Sequence, residues 1–320
     1  MLFSIVIATY NQEGFIRQAV ESALLQGHPS AEIIVVDDGS KDGTADVLNT
    51  FGDSIIFAKL PENQGAVAAR NHGATLASGQ YLVFLDGDDA LMPKALEVYA
   101  RIIAARSPKI IFGRSALCYG SIPEAQTADL PREIQFVEYA NFLDKDRPCL
   151  FNTSTLIVDR STFWSEDGWT PGIFYQDIQD LLTKLSVSGK MVIVLAPYTV
   201  WYRMHTTNAV NKVLPFLEGI HVMLKKEKAH AYPGGREHWF KRASWFGGLI
   251  FYWTKTALRA GHYRDAFILL LSGWWMILFA VIRRSAAWIA GRKPIEMLAL
   301  EQDNAAGAST AVSISGAGAV

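Results

Sequence analysis

Three carboxylates fall within four residues at Asp86-Gly87-Asp88-Asp89, directly after an apolar run at residues 81–85. Crowded like charges repel unless a cation or hydrogen bonds compensate them. Carboxylate oxygens are the hard donors that Mg2+ and Mn2+ prefer, and the remaining coordination positions suit a diphosphate. The plainer reading is a solvated acidic turn ahead of a helix that has Pro93 in its first turn. A second acidic pair, in Val35-Val36-Asp37-Asp38-Gly39-Ser40, also ends a β-branched run. Acceptor oxygens there can read a ribose or the N–H edge of a base, or merely close a glycine turn.

A third polar group is Asn63-Gln64-Gly65-Ala66-Val67-Ala68-Ala69-Arg70-Asn71. Gly65 permits a tight entry into a helix, and Arg70 follows about two turns later. A guanidinium there can meet a phosphate or pair with Asp37 or Asp86.

The elements that must position these groups are legible from the pattern. Residues 3–8, 33–36, 55–58, 81–85 and 109–112 read as strands, alternating with helices over 13–26, 44–51, 66–77 and 93–106. Apolar strands with helical crossovers predict an α/β fold with a mostly parallel sheet covered on both faces. Ligands bind such sheets beyond the carboxyl ends of the strands. The clusters Thr9-Tyr10-Asn11, Asp37-Asp38 and Asp86-Gly87-Asp88 all fall at those ends. Residues 114–155 lose the rhythm and read as loop. A strand at 156–158, a helix from 177 to about 188 and a strand at 191–196 follow.

The order and spacing of these segments, with Ser4-Ile5-Val6-Ile7-Ala8-Thr9-Tyr10-Asn11, resemble glycosyltransferase family 2 and its GT-A fold. The resemblance is strong over residues 3–113 and continues to about 210. It implies an inverting, metal-dependent transferase with a nucleoside diphosphate sugar donor, a UDP-sugar by preference. It implies donor contacts from Thr9, Tyr10, Asn11, Asp38, Arg70, Asp86, Gly87 and Asp88. Asp86 and Asp88 match the D-x-D pair that holds Mn2+ or Mg2+, with Asp88 the direct ligand.

Inversion needs a base to take the acceptor hydroxyl proton while the metal neutralises the departing diphosphate. The resemblance places that base in Phe174-Tyr175-Gln176-Asp177-Ile178-Gln179-Asp180. Asp177 takes its position, and Gln176 replaces the family's preceding Glu. Asp180 is the alternative base, and an N-cap is the structural role open to Asp177. Trp201-Tyr202-Arg203-Met204-His205 is similar to the family's closing Tyr-Arg-x-His segment, so Arg203 and His205 are expected at the diphosphate. Asn152 to Ser154 are expected on the acceptor side. An inactive partner protein that keeps the fold is the rival reading, and Gln176 is its support.

Other nucleotide folds are excluded by motif. No G-x-x-x-x-G-K-[ST] occurs, and Thr9-Tyr10-Asn11-Gln12 is not the glycine fingerprint of a dehydrogenase. A receiver-like domain would place its acidic pair after the first strand. Two cysteines, Cys118 and Cys149, show no disulfide or metal spacing, which suits a reducing compartment.

The net charge of −1 conceals an asymmetry. Residues 1–224 hold 17 basic and 25 acidic residues, whereas 225–293 hold 13 basic and 3 acidic. Six of the nine tryptophans lie at or beyond Trp239. Basic, indole-rich sequence points to an anionic lipid surface rather than nucleic acid. Residues 266–282 carry no charge, at the lower edge of a membrane span. A span would carry Arg283, Arg284, Arg292 and Lys293 across, against the positive-inside tendency. The expected organisation is therefore a catalytic domain at 1–212, divided into a donor half (1–113) and an acceptor half (114–212). A monotopic or peripheral helical region at 213–293 follows on the cytoplasmic face of the membrane, and then a flexible tail at 294–320. A span and a wholly soluble packing are the alternatives. The expected acceptor is a glycan or a lipid-linked saccharide.

Overall fold

The structure, a computed structural model, describes residues 2–123, 132–145, 151–173, 175–206, 212–290 and 293–299. Cys149, Phe174 and the tail from 300 onward lie outside them. The chain opens with β1 (Phe3–Thr9), α1 (Ile16–Leu24), β2 (Ala31–Asp37), α2 (Thr44–Asn49), β3 (Ile56–Lys59), α3 (Ala66–Leu76) and β4 (Tyr81–Asp86). A short β5 (Ala90–Leu91), α4 (Ala95–Arg106), β6 (Ile110–Phe112), β7 (Ser115–Tyr119) and β8 (Glu133–Tyr139) follow. Then come β9 (Leu156–Asp159), α5 (Arg160–Ser165), α6 (Asp177–Lys184), β10 (Met191–Ala196) and β11 (Val200–Met204). The C-terminal part is α7 (Val213–Lys228), α8 (Trp239–Arg259), α9 (Tyr263–Ala290) and β12 (Glu296–Ala299).

Nine strands form one sheet in the order β12-β8-β10-β6-β9-β4-β1-β2-β3. β9 pairs antiparallel with β4 and β6, and β8 pairs antiparallel with β10 and β12, so seven strands run one way. The strand period of two sends alternate residues to opposite faces. Ile5, Ile7 and Val35 pack under α1 and α4, while Val6, Ala8 and Val36 pack with α3 and α6 on the other face. Both faces are dry, as the continuous apolar runs require.

Two strands lie where the sequence reads as loop. β8 is buried on both faces, with Ile134 and Phe136 in one layer and Val137 and Tyr139 in the other. Its pairing partners, β10 and β12, lie far on in the sequence. β7 joins β5 and β11 in a second, three-stranded sheet, whose pairing partners are far off in sequence. Glu296–Ala299, expected within the flexible tail, instead forms an edge strand on β8.

The helices α7, α8 and α9 enclose their own core, with Ile220, Phe246, Ile250, Leu269 and Met276 at its centre. The antiparallel pair α8 and α9 touch through backbone. A Cβ at Gly247 would lie 2.0 Å from the Met276 carbonyl oxygen, so no larger residue fits. The helical path of α9 is broken once, at Gly273.

Candidate active site

Parallel register brings three strand ends together. Ala8 on β1 lies opposite Asp86 on β4, and Thr9 lies opposite Asp37 on β2. The turn leaving β4 packs directly on this corner. The Gly87 N–H donates to the Ala8 carbonyl at 3.1 Å. A Cβ at Gly87 would meet Gln12 Oε1 at 2.4 Å and Thr9 Cβ at 2.9 Å. Only glycine lets the acidic turn sit this close to β1.

Arg70, buried on α3, reaches the acidic turn and the start of α6 at once. Its Nη2 donates to Asp86 Oδ1 at 2.7 Å, and its Nη1 donates to Asp177 Oδ2 at 2.5 Å. The guanidinium lies over the Trp169 ring, 5.2 Å from its centroid. The fork geometry of arginine suits this bridging, which a lysine cannot copy. Burial pushes the Asp86 carboxyl above its ordinary range. Arg70 opposes that shift and Asp88 adds to it.

Asp88 faces the other way. Its Oδ2 lies 2.9 Å from His205 Nε2, and its backbone carbonyl accepts from Arg203 Nε at 2.8 Å. His205 stacks on Phe15 at 5.0 Å. Arg203 also donates to Gly120 O and Gln18 Oε1 and covers the Phe15 ring. Its guanidinium thus braces the acidic turn from behind.

Asp89 points inward. It accepts from Ser154 Oγ at 2.5 Å and from the Arg203 N–H at 2.9 Å. Burial, with Asp88 and Asp86 adding, pushes its carboxyl well above the ordinary range. The Asp86 N–H donates to Ser154 Oγ as well. Asn152 caps the turn at residues 153–155. Asn152 and Ser154, expected on the acceptor side, support the acidic turn.

At the β2 end, Asp38 is buried. Its two oxygens accept the Gln64 and Gly65 N–H groups at 2.8 and 2.7 Å. Its contacts fix the loop that launches α3, and hence Arg70. Thr9 is buried and its hydroxyl donates to Gln12. Tyr10 is exposed beside it. Asn11 adopts a left-handed φ of 50° and its side chain accepts from the Lys41 N–H. Thr9, Tyr10, Asn11, Arg70, Asp86, Gly87, Asp88, Asp177 and His205 therefore line one corner of the sheet, with Asp38 and Arg203 fixing its walls.

Residues 4–164 match the sequence profile of glycosyl transferase family 2. The chain belongs to that family. It is 32% identical over 193 residues to the putative teichuronic acid biosynthesis glycosyltransferase TuaG of Bacillus subtilis, covering 59% of this chain and 73% of TuaG. Over 89 residues it is 47% identical to WfaP of Escherichia coli, a UDP-Glc:alpha-D-GlcNAc-diphosphoundecaprenol beta-1,3-glucosyltransferase. That match covers 28% of this chain and 36% of WfaP. The crystal structure of S. aureus TarS 1-349 with UDP-GlcNAc superposes with a TM-score of 0.56 at 13% identity, covering 99% of both chains. The TarS 1-349 structure with UDP gives a TM-score of 0.54 at 14% identity, over 95% of this chain and 98% of that fragment. The fold is the GT-A fold of this family's glycosyltransferases.

Within the family fold, α6 carries two acids with different surroundings. Asp177 opens the helix at the acidic corner, with its side chain 17% exposed. Asp180, one turn on, is buried and accepts from Thr170, Lys226 and Tyr232 at 2.5–2.6 Å. It is a structural hub between α6 and α7, so the alternative base falls away. The Gln176 amide is wholly buried, and neither of its polar atoms has a partner among the described residues.

Sequence reasoning missed Phe15, Gln18 and Trp169. Phe15 and Gln18 are three residues apart, one face of a helix, which is the only signal they leave. Trp169 is positioned by Asn71, whose side chain pairs with the Trp169 backbone at both N–H and carbonyl. No local spacing announces such a contact.

Two carboxylates and an imidazole are available for a metal at this corner. Among the described residues, no three His, Cys, Asp or Glu side chains already converge on one point. In donor type, Asp86 and Asp88 suit a hard divalent cation that completes its shell with phosphate oxygens. Burial first and the Asp88 charge after it raise the Asp86 carboxyl, and a cation held there would offset that cost.

Proposed function

We propose that the chain transfers a hexosyl group, with inversion, from a nucleoside diphosphate sugar to a glycan or lipid-linked saccharide in cell-surface polysaccharide synthesis. The observation that carries this reading is Arg70. It holds Asp177 and Asp86 within one guanidinium's reach, so a single side chain orients the proposed base and the acidic turn proposed for the leaving group. The teichuronic acid role of TuaG and the diphosphoundecaprenol-linked acceptor of WfaP support a surface-polysaccharide setting, and the TarS complexes support a uridine diphosphate donor.

Asp177 takes the proton of the acceptor hydroxyl as its oxygen bonds to C1, while the C1–O bond to the diphosphate breaks on the opposite face. Tyr10 and the Thr9–Asn11 backbone receive the nucleoside. His205 sits beside Asp88, where negative charge grows on the departing diphosphate. A Mn2+ or Mg2+ held by Asp86 and Asp88 would supply the neutralising charge there. We place this work at the cytoplasmic face of the membrane, a setting supported by the basic, tryptophan-rich sequence of residues 225–293 and by the lipid-linked acceptor of WfaP.

A thermal-shift panel of nucleotide sugars with Mn2+ tests the donor assignment, because a ligand that binds the folded chain raises its melting temperature. The expected result is a rise with one uridine diphosphate sugar and none with nucleoside monophosphates. A transfer assay then compares the parent with Asp177→Ala. Equal transfer by both would overturn the catalytic assignment. Donor binding without any transfer, in parent and variant alike, would favour the inactive-partner reading that Gln176 suggests.

A further inference from the structure

The outward faces of α8 and α9 are apolar and no element of the described chain covers them. On α9, Phe267, Leu271, Trp274, Leu278 and Val281 are 53–60% exposed. Their spacing alternates four and three, so they form one stripe. On α8, Phe251 and Tyr252 are 53 and 60% exposed. Soluble monomers seldom leave so large a contiguous patch bare.

Charge says what the patch fits. Residues 239–290 contain seven basic residues and one acid. Lys255, Arg259 and Arg264 are exposed around the α8–α9 turn, and Arg284 is exposed beyond the other end of the stripe. The lone acid, Asp265, is half-buried. An apolar stripe with cations at both ends complements an anionic lipid leaflet.

The open end of this hairpin is stitched to the catalytic domain. Lys241 Nζ donates to Asp144 at 2.5 Å, and Trp245 Nε1 to Thr183 on α6 at 3.2 Å. At the end of the apolar stretch, Arg283 donates to the carbonyls of Leu143 and Lys145. The chain then returns to the main sheet as β12. A single crossing would strand β12 on the far side. Among the described helices α9 alone is long and apolar enough to cross, with the 24 residues Tyr263–Ala286 containing an 18-residue window of mean hydropathy 2.1. α8 offers only the uncharged residues 243–254 between Arg242 and Lys255, about 18 Å of helix against a hydrocarbon layer of about 30 Å. Tip-first insertion would therefore bury Lys255, Arg259 and Arg264 in hydrocarbon.

We propose that α8 and α9 form a monotopic hairpin that lies along the headgroup layer of an anionic leaflet, entering and leaving from one side. This deepens the functional reading above and rests on it for its setting. The apolar stripe sinks to the acyl boundary, and the terminal cations stay among the headgroups. Because Thr183–Trp245 and Asp180–Lys226 tie α6 to α8 and α7, the leaflet fixes the attitude of Asp177. An acceptor held in the same leaflet by its lipid would then meet the active site edge-on.

Flotation of the full chain with vesicles tests this. Pure phosphatidylcholine is compared with phosphatidylcholine mixed equally with phosphatidylglycerol. The parent is expected to float with the mixed vesicles and to be released only in part by molar salt. Leu271→Ser with Trp274→Ser is expected to lower partitioning about tenfold on both lipids, and Arg259→Glu with Arg264→Glu to do so on the anionic lipid alone. Both double variants should keep the parent's donor-induced thermal shift, so failure of lipid binding and failure of the donor reading are separately visible. Quenching of Trp274, read as the difference from Trp274→Phe, should be stronger from bromines placed near the headgroup than from bromines at the chain ends. Unchanged partitioning of both double variants would overturn the proposal. So would strongest quenching at the bilayer centre, or a parent that ignores vesicles because a second copy covers the stripe in a dimer.

Discussion

Arg70 Nη1 donates to Asp177 Oδ2 at 2.5 Å, which binds the proposed base to a residue 107 positions earlier in the chain. The same guanidinium holds Asp86, so orientation of the base and of the acidic turn depends on one planar fork. Arg70→Lys keeps the charge and loses the fork. The expected outcome is a fall in kcat of about 100-fold, the scale of a small misplacement of reacting groups, with donor binding retained. Single-turnover transfer alongside donor titration separates the two effects.

Asp177 and Asp180 should fail in opposite ways. Asp180 is buried and accepts from Lys226 and Tyr232, so Asp180→Asn leaves a cation and a phenol poorly matched between α6 and α7. Removing one partner of a buried pair costs about 3 kcal/mol. Lys226 is 23% exposed, which lowers the expectation to about 2 kcal/mol. Asp177→Asn should change stability far less and abolish transfer. Urea denaturation and a transfer assay on both variants check the contrast.

That contrast also marks how far the sequence could be read. Strand ends carrying Thr9, Asp37 and Asp86 were legible because β-branched runs and helical crossovers dictate a sheet with those residues at its carboxyl edge. The pairing of Asp88 with His205 was half legible, since Arg203 and His205 stand out by type but not by direction. Arg203 turns its guanidinium to Gln18 and two carbonyls, a choice made by tertiary packing against Phe15. Asp177 and Asp180 look alike in one dimension. Donors from Thr170, from Lys226 on α7 and from Tyr232 beyond it make one of them structural. β7 and β8 escaped notice because their pairing partners lie far away in sequence.

The Glu32 carboxylate clips the end of α3 to the sheet. It accepts from Ser4 Oγ, Ser78 N and Oγ, and Gly79 N. Burial alone would raise its pKa, but these bonds outweigh burial and hold it below the usual 4.5. A carboxylate depressed in the fold stabilises above its unfolded value, and that stability is lost as pH falls through the folded value. Glu32→Gln should therefore be less stable than the parent at pH 7, and the gap should close as pH drops below 4.5. Equilibrium denaturation across that range reads the gap directly.

Asp86, Asp88 and Asp89 make different expectations for a divalent cation. In the fold, burial and like charges raise Asp86 and Asp89 above the ordinary 3.8. A raised carboxyl costs stability above its unfolded value, and the cost is relieved as pH falls through the folded value. A cation relieves the same cost at neutral pH, in competition with protons. Mn2+ should then raise the melting temperature more at pH 7.5 than at pH 5, and more with UDP than alone. Asp88→Asn should remove most of that rise and leave the cation-free melting temperature nearly unchanged. Asp89→Asn should do the reverse, because Asp89 spends its oxygens on Ser154 and the Arg203 backbone. A tenfold weaker affinity for the cation corresponds to about 1.4 kcal/mol of lost stabilisation under excess ligand, well within calorimetric reach. If the two variants behaved alike, the acidic turn would be one repulsive cluster rather than a divided one, with a cation-facing side and an inward side.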